Sequence, residues 1–216
     1  EGNAFFKAQK YEQAIAKYQE ASKLDPTEPA YWSNAAASYE KLGEWEKSAE
    51  MAQGCIQANN KFVKGYFRLA NAQKALNNLA GCIKTLESGL GVDSSNADLK
   101  RMKKEVTELQ RAEQVGQYCA RADEQMQSGD VGGAMKTLEL ASRLDAGNPD
   151  IERMLKVVKP KFEKAERSRK SGLSGPERAK EAGDEHYKAA NFERAIEKYT
   201  EALGQCPDKS AAIALK

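Results

Sequence analysis

Four polar side chains stand out in a chain otherwise short of reactive groups: Asn3, Asn34, Lys64 and Arg68 occupy places where apolar or indifferent residues would serve. The asparagine amides donate hydrogen bonds without adding charge. Lys64 and Arg68 lie four apart and so share one helix face. Each can give an ionised acceptor a bond worth about 1.5–3 kcal/mol. That chemistry holds a ligand and breaks no bond. The single histidine, His186, and the scattered cysteines Cys55, Cys82, Cys119 and Cys206 form no CxxC pair and have no zinc or nucleophile spacing. There is no glycine-rich phosphate loop. The expectation is a binding protein that is not an enzyme and uses no metal or cofactor.

The elements that must position these residues are legible as a repeat, which is the first thing to look for in a sequence. Sliding the chain by 34 residues aligns Trp32, Ala36, Tyr39, Ser48 and Cys55 with Tyr66, Ala70, Gln73, Cys82 and Gly89. Shifting backward brings in Gly2, Phe5, Ala14, Tyr18 and Ala21. A fourth copy carries Ala122, Gln125, Ala134 and Ala141, and a fifth Gly183, His186, Ala195, Tyr199 and Ala202. Three columns hold only small residues: Gly2, Ala36, Ala70, Ala122, Gly183; then Ala14, Ser48, Cys82, Ala134, Ala195; then Ala21, Cys55, Gly89, Ala141, Ala202. Small residues at fixed places let helix backbones approach closely. His186 falls in a packing column with Phe5, Tyr39, Gln73 and Gln125, and Cys55 and Cys82 fall in small-residue columns, so all three are read as packing residues.

The copies predict helical hairpins. Gly43 suits a left-handed turn, Asn77-Asn78 supplies another, and Pro26 and Pro29 punctuate a loop. Copy four starts 52 residues after copy three, an excess of 18. Eighteen residues make about five helical turns, which predicts one long helix over 97–127. Another helix is expected from Asp150 to Arg169, kinked or divided at Pro160. Ser171 to Pro176 reads as a linker. The basic run before it, from Lys159 to Lys170, is read first as a solvated face and, in a minor reading, as a docking site for acidic partners or nucleic acid.

At this period and with this pattern the chain resembles the tetratricopeptide repeat (TPR) family. The resemblance implies an all-α, right-handed superhelix of antiparallel helical hairpins. The expected organisation is a module over 1–112, a fourth TPR-like hairpin with its following helix over 113–170, a linker over 171–176, and the start of a second, truncated module over 177–216. Asn3, Asn34, Lys64 and Arg68 then lie on the first helices of repeats one to three, which line the concave groove. They resemble the carboxylate clamp of TPR co-chaperones, which holds the terminal Glu-Glu-Val-Asp of the 70- and 90-kilodalton heat-shock chaperones. Phe5, Ala37 and Phe67 are expected as nearby apolar contacts. In the second module Lys180 stands where a clamp lysine belongs, but Asp184 replaces the asparagine, as Asp123 does in copy four. The next asparagine would fall near Leu215, so either the loop Asp208–Lys216 is longer than usual, the reading favoured here, or the second module binds something else.

The leading expectation is a co-chaperone or adaptor module that captures chaperone tails. The alternative is a structural scaffold that holds an internal helix or extended segment of a partner. With a net charge of +2 and no apolar run of membrane-spanning length, neither nucleic acid nor a membrane is expected as partner. Unpaired cysteines point to a reducing, cytoplasmic location and the chain is expected to be a monomer, the sequence itself being a fragment.

Overall fold

Small residues at three fixed places per period are what allow each period to close as a pair of packed helices. The computed structural model describes residues 1–206. Its helices are α1 (Gly2–Lys7), α2 (Tyr11–Leu24), α3 (Pro29–Leu42), α4 (Trp45–Ala58), α5 (Val63–Ala75) and α6 (Leu79–Val92), followed by α7 (Ala97–Gln127), α8 (Val131–Leu144), α9 (Pro149–Gly172), α10 (Gly175–Lys188) and α11 (Phe192–Gly204). The first two small-residue columns are buried throughout, and the third is buried except at the half-exposed Ala21. Gly89 shows why size matters there: a Cβ on it would lie 2.8 Å from Tyr66 and 2.9 Å from Leu99.

Packing divides the chain into two units, Glu1–Gly116 and Gln117–Lys216. In the first, α1–α2, α3–α4 and α5–α6 are the three hairpins, and each second helix packs on the next first helix. Contacts recur with the period. Trp32 Nε1 donates to the Pro26 carbonyl at 3.1 Å, and one period on Tyr66 Oη donates to the Asn60 carbonyl at 3.0 Å. The apolar centre of this unit joins Ala70, Leu79, Cys82 and Leu86 to Leu99, Met102 and Val106 on the first half of α7. Gly43 and Asn77 take the left-handed turn conformation, with φ of 76° and 56°.

The second unit repeats the pattern. Thr137 donates to Gln125 at 2.7 Å, as Thr85 donates to Gln73 at 2.8 Å in the first. The long helix arrives over the span expected of it. Two expectations are corrected. Of the two effects expected of Pro160, a kink or a division, the division does not occur, since α9 runs unbroken past it. The linker expected over 171–176 shrinks to Leu173 and Ser174, because α9 continues to Gly172 and Ser174 starts α10 with a capping box to Glu177. Arg169 and Lys170, the end of the basic run, are held by Glu181 and Glu185 of α10 at 2.5 and 2.9 Å. The loop Asp208–Lys216 lies outside the described residues. No described helix is long and apolar enough to cross a membrane.

Candidate functional site

Asn3, Asn34 and the Lys64–Arg68 pair sit on α1, α3 and α5, the first helices of three successive hairpins. The structure brings them together as two pairs. Asn3 and Asn34 share a cleft of about 520 Å3 with Lys17, Tyr18 and Tyr31. Within it Asn3 Oδ1 accepts from Tyr18 Oη at 2.6 Å and from Asn34 Nδ2 at 3.3 Å. An amide has one oxygen and two N–H donors. With the oxygen committed twice, the Asn3 amide is oriented and its N–H2 has no partner among the described residues. Burial raises the Tyr18 phenol above its ordinary value, which keeps it a donor at neutral pH. Nothing in the motif pointed to Tyr18. Its column, Tyr18 and Tyr199, each 15 residues after an Asn or Asp, was the available signal.

Lys64 and Arg68 line a second cleft, of about 490 Å3, with Lys61, Val63, Phe67 and Asp98. Lys64 is exposed. Arg68 is only partly so, because its Nη1 donates at 2.7 Å to Oε2 of Glu40 on α3, whose side chain is 10% exposed. Glu40 was not foreseen. It holds the guanidinium through Nη1 and leaves the remaining N–H groups for a ligand. Its other oxygen, Oε1, is buried with no partner, so the pair is a costly arrangement for stability alone.

The expected apolar contacts divide. Phe67 lines the cleft beside Lys64 and Arg68. Ala37 is buried at 6% exposure. Phe5 packs into the cluster of Ala14, Tyr18 and Ala35, so it supports the clamp hairpin from within. In the second unit Lys180 is half-buried and Asp184 Oδ1 accepts from Tyr199 Oη at 2.8 Å, the same contact as Tyr18 with Asn3. That hydrogen bond, with burial second, raises the Tyr199 phenol. A carboxylate there accepts and has nothing to donate. The thiols of Cys55 and Cys82 are pushed up to about 11, chiefly by burial. Each instead donates to a backbone carbonyl, of Pro29 and Ala70 respectively. At neutral pH such thiols are poor nucleophiles.

A family model described as "TPR repeat" matches residues 2–43. The Hsp70-Hsp90 organizing protein 2 of Arabidopsis thaliana is 39% identical over 98 residues, covering 45% of this chain and 17% of that protein. The mitochondrial import receptor subunit TOM70 of Homo sapiens is 41% identical over 87 residues, covering 38% and 14%. The chain thus spans under a fifth of the length of these relatives. Among solved structures, the first TPR of Spaghetti bound to the HSP90 peptide SRMEEVD superimposes with a TM-score of 0.48 at 26% identity, covering 50% of this chain and 86% of that one. The recurring inter-helix contacts, with the match over residues 2–43, identify the fold as that of tetratricopeptide-repeat helical hairpins.

Proposed function

We propose that the first unit is a carboxylate clamp that binds the C-terminal Glu-Glu-Val-Asp tail of a 70- or 90-kilodalton heat-shock chaperone. The observation that carries this reading is the orientation of Asn3. Its oxygen is taken by Tyr18 and Asn34, so it offers only N–H to a ligand. A peptide C-terminus next to an aspartate side chain presents two adjacent carboxylates, and Asn3, Asn34, Lys64 and Arg68 are four sets of donors suited to them. The likeness to Hsp70-Hsp90 organizing proteins supports the same reading. Two or three charge-assisted bonds, less the cost of ordering a flexible peptide, give an affinity on the order of micromolar. Binding weakens with salt because the contacts are ionic and partly exposed. The module works as a non-catalytic adaptor in the cytoplasm, in keeping with free cysteines.

The test is calorimetric titration with an eight-residue peptide ending Glu-Glu-Val-Asp, as free acid and as C-terminal amide. The free acid should bind and the amide should not. Arg68→Ala should weaken the free acid by about 10- to 100-fold, the worth of one charge-assisted contact. Equal affinity for acid and amide would overturn the clamp and favour a scaffold that grips an internal segment.

A further inference from the structure

The first unit carries a second charged cleft that the clamp does not use. It lies where the C-terminal end of α6 meets α7, has a volume of about 440 Å3, and is lined by Leu90, Lys100, Lys103, Lys104, Thr107, Glu108 and Arg111, four cations against one carboxylate. At about 100° per residue, Lys100, Lys104, Thr107 and Arg111 fall within roughly 60° of one another around α7. Asp98 and Glu105 lie about 150° away. Both are paired on that other flank, with Arg101 at 2.8 Å and Lys74 at 2.6 Å. Lys103 pairs with Glu87 of α6 at 2.9 Å. Lys100, Lys104 and Arg111 are exposed, with no ion-pair partner among the described residues.

The repeat register sharpens the point. One period before Lys103 and Lys104 stand Leu69 and Ala70, 7% and 0% exposed. On α7 the same face is open, and it has become basic. A helix that closes a repeat needs a polar outer face, but polarity alone does not require four cations against a single carboxylate along one cleft.

We infer that this cleft docks an acid-rich polypeptide segment, with an apolar residue of that segment resting on Leu90. The stripe from Lys100 to Arg111 is about 16 Å long. With Lys103, which also pairs with Glu87, its four cations therefore come about 5.5 Å apart on average, close to the spacing of carboxylates on successive helical turns, about 5.4 Å, or on alternate residues of a strand, about 6.8 Å. Duplex DNA presents a charge about every 1.7 Å, and the cleft lacks an aromatic surface for stacking a single-stranded base.

The probe is a labelled peptide of about 14 residues, rich in glutamate with one central leucine, acetylated and amidated so that the clamp has no free terminus to hold. Its anisotropy is followed against the whole chain at low salt. The wild-type chain and Arg68→Ala should bind it alike. The triple variant Lys100→Glu/Lys104→Glu/Arg111→Glu should bind at least about tenfold more weakly, and the triple glutamine variant should fall between, with helical circular dichroism unchanged in both. Absence of binding, equal binding by the triple glutamate variant, or tighter binding of duplex DNA than of the peptide would each overturn the inference. None of these outcomes bears on the tail titration, so the two readings fail separately.

Discussion

The hairpins α1–α2 and α10–α11 are built on the same contacts and differ in one consequential atom and one apolar face. In each, a glycine backs onto a tyrosine ring: a Cβ on Gly2 would lie 2.7 Å from Tyr18, and one on Gly183 would lie 2.5 Å from Tyr199. Each turn places a non-glycine residue in the left-handed region, Gln9 at φ 60° and Ala190 at 58°. Lys17 pairs with Glu20 at 2.8 Å and Lys198 with Glu201 at 2.7 Å. Each tyrosine hydroxyl then donates to the side chain on the neighbouring first helix, Asn3 in one and Asp184 in the other. The scaffold contact needs only an oxygen. What the second polar atom is, N–H2 or O⁻, is free to vary, and it decides whether the hairpin attracts a carboxylate or repels it.

The apolar faces differ for another reason. Ile15 on α2 is 6% exposed, whereas its equivalent Ile196 on α11 is 65% exposed. In the first unit α3 packs on α2. A hairpin of this kind closes on its own glycine and tyrosine, but the outer face of its second helix is buried only by the next hairpin.

Four substitutions press on this comparison. Asn3→Asp turns the first hairpin into the electrostatic image of the last. The tyrosine contact survives, a donor is lost and a repelling charge gained, so tail affinity measured by calorimetry should fall by about 100-fold. A loss under about threefold would show that Asn3 does not touch the ligand.

Gly183→Ala should destabilise the last hairpin by about 1–3 kcal/mol in urea unfolding, since a methyl group there must push the Tyr199 ring aside. Gly2→Ala should cost a similar amount and also weaken tail binding, because Tyr18 orients Asn3. If Gly2→Ala destabilises but leaves the affinity intact, Tyr18 does not position the amide.

The smallest effect is that of Tyr18→Phe. It removes one hydrogen bond and leaves the ring packing, so tail affinity should fall by about three- to tenfold with little change in stability. Restoring an acceptor-only Asn3→Asp background should erase this effect, since nothing remains for Tyr18 to orient productively.

The repeat and the places of Asn3, Asn34, Lys64 and Arg68 were legible because they are matters of residue type at fixed spacing. Small residues recur every 34 positions wherever helices approach closely, and the 18-residue excess before copy four keeps helical phase, so α7 could be read from the chain alone. Pro160 does not divide α9 because a lost hydrogen bond on an exposed flank is a local cost that the rest of the helix outweighs. The linker misled because serines and glycines that suit a coil also suit a helix C-terminus and an N-cap, and the choice was made by Glu177, Glu181 and Glu185 on α10. The composition and register of the sequence determined the hairpins and which donors stand on their first helices. Only the tertiary structure decided that Tyr18 turns the Asn3 amide outward and that Glu40 holds Arg68, because those contacts join residues 15 and 28 apart whose meeting depends on how the helices pack.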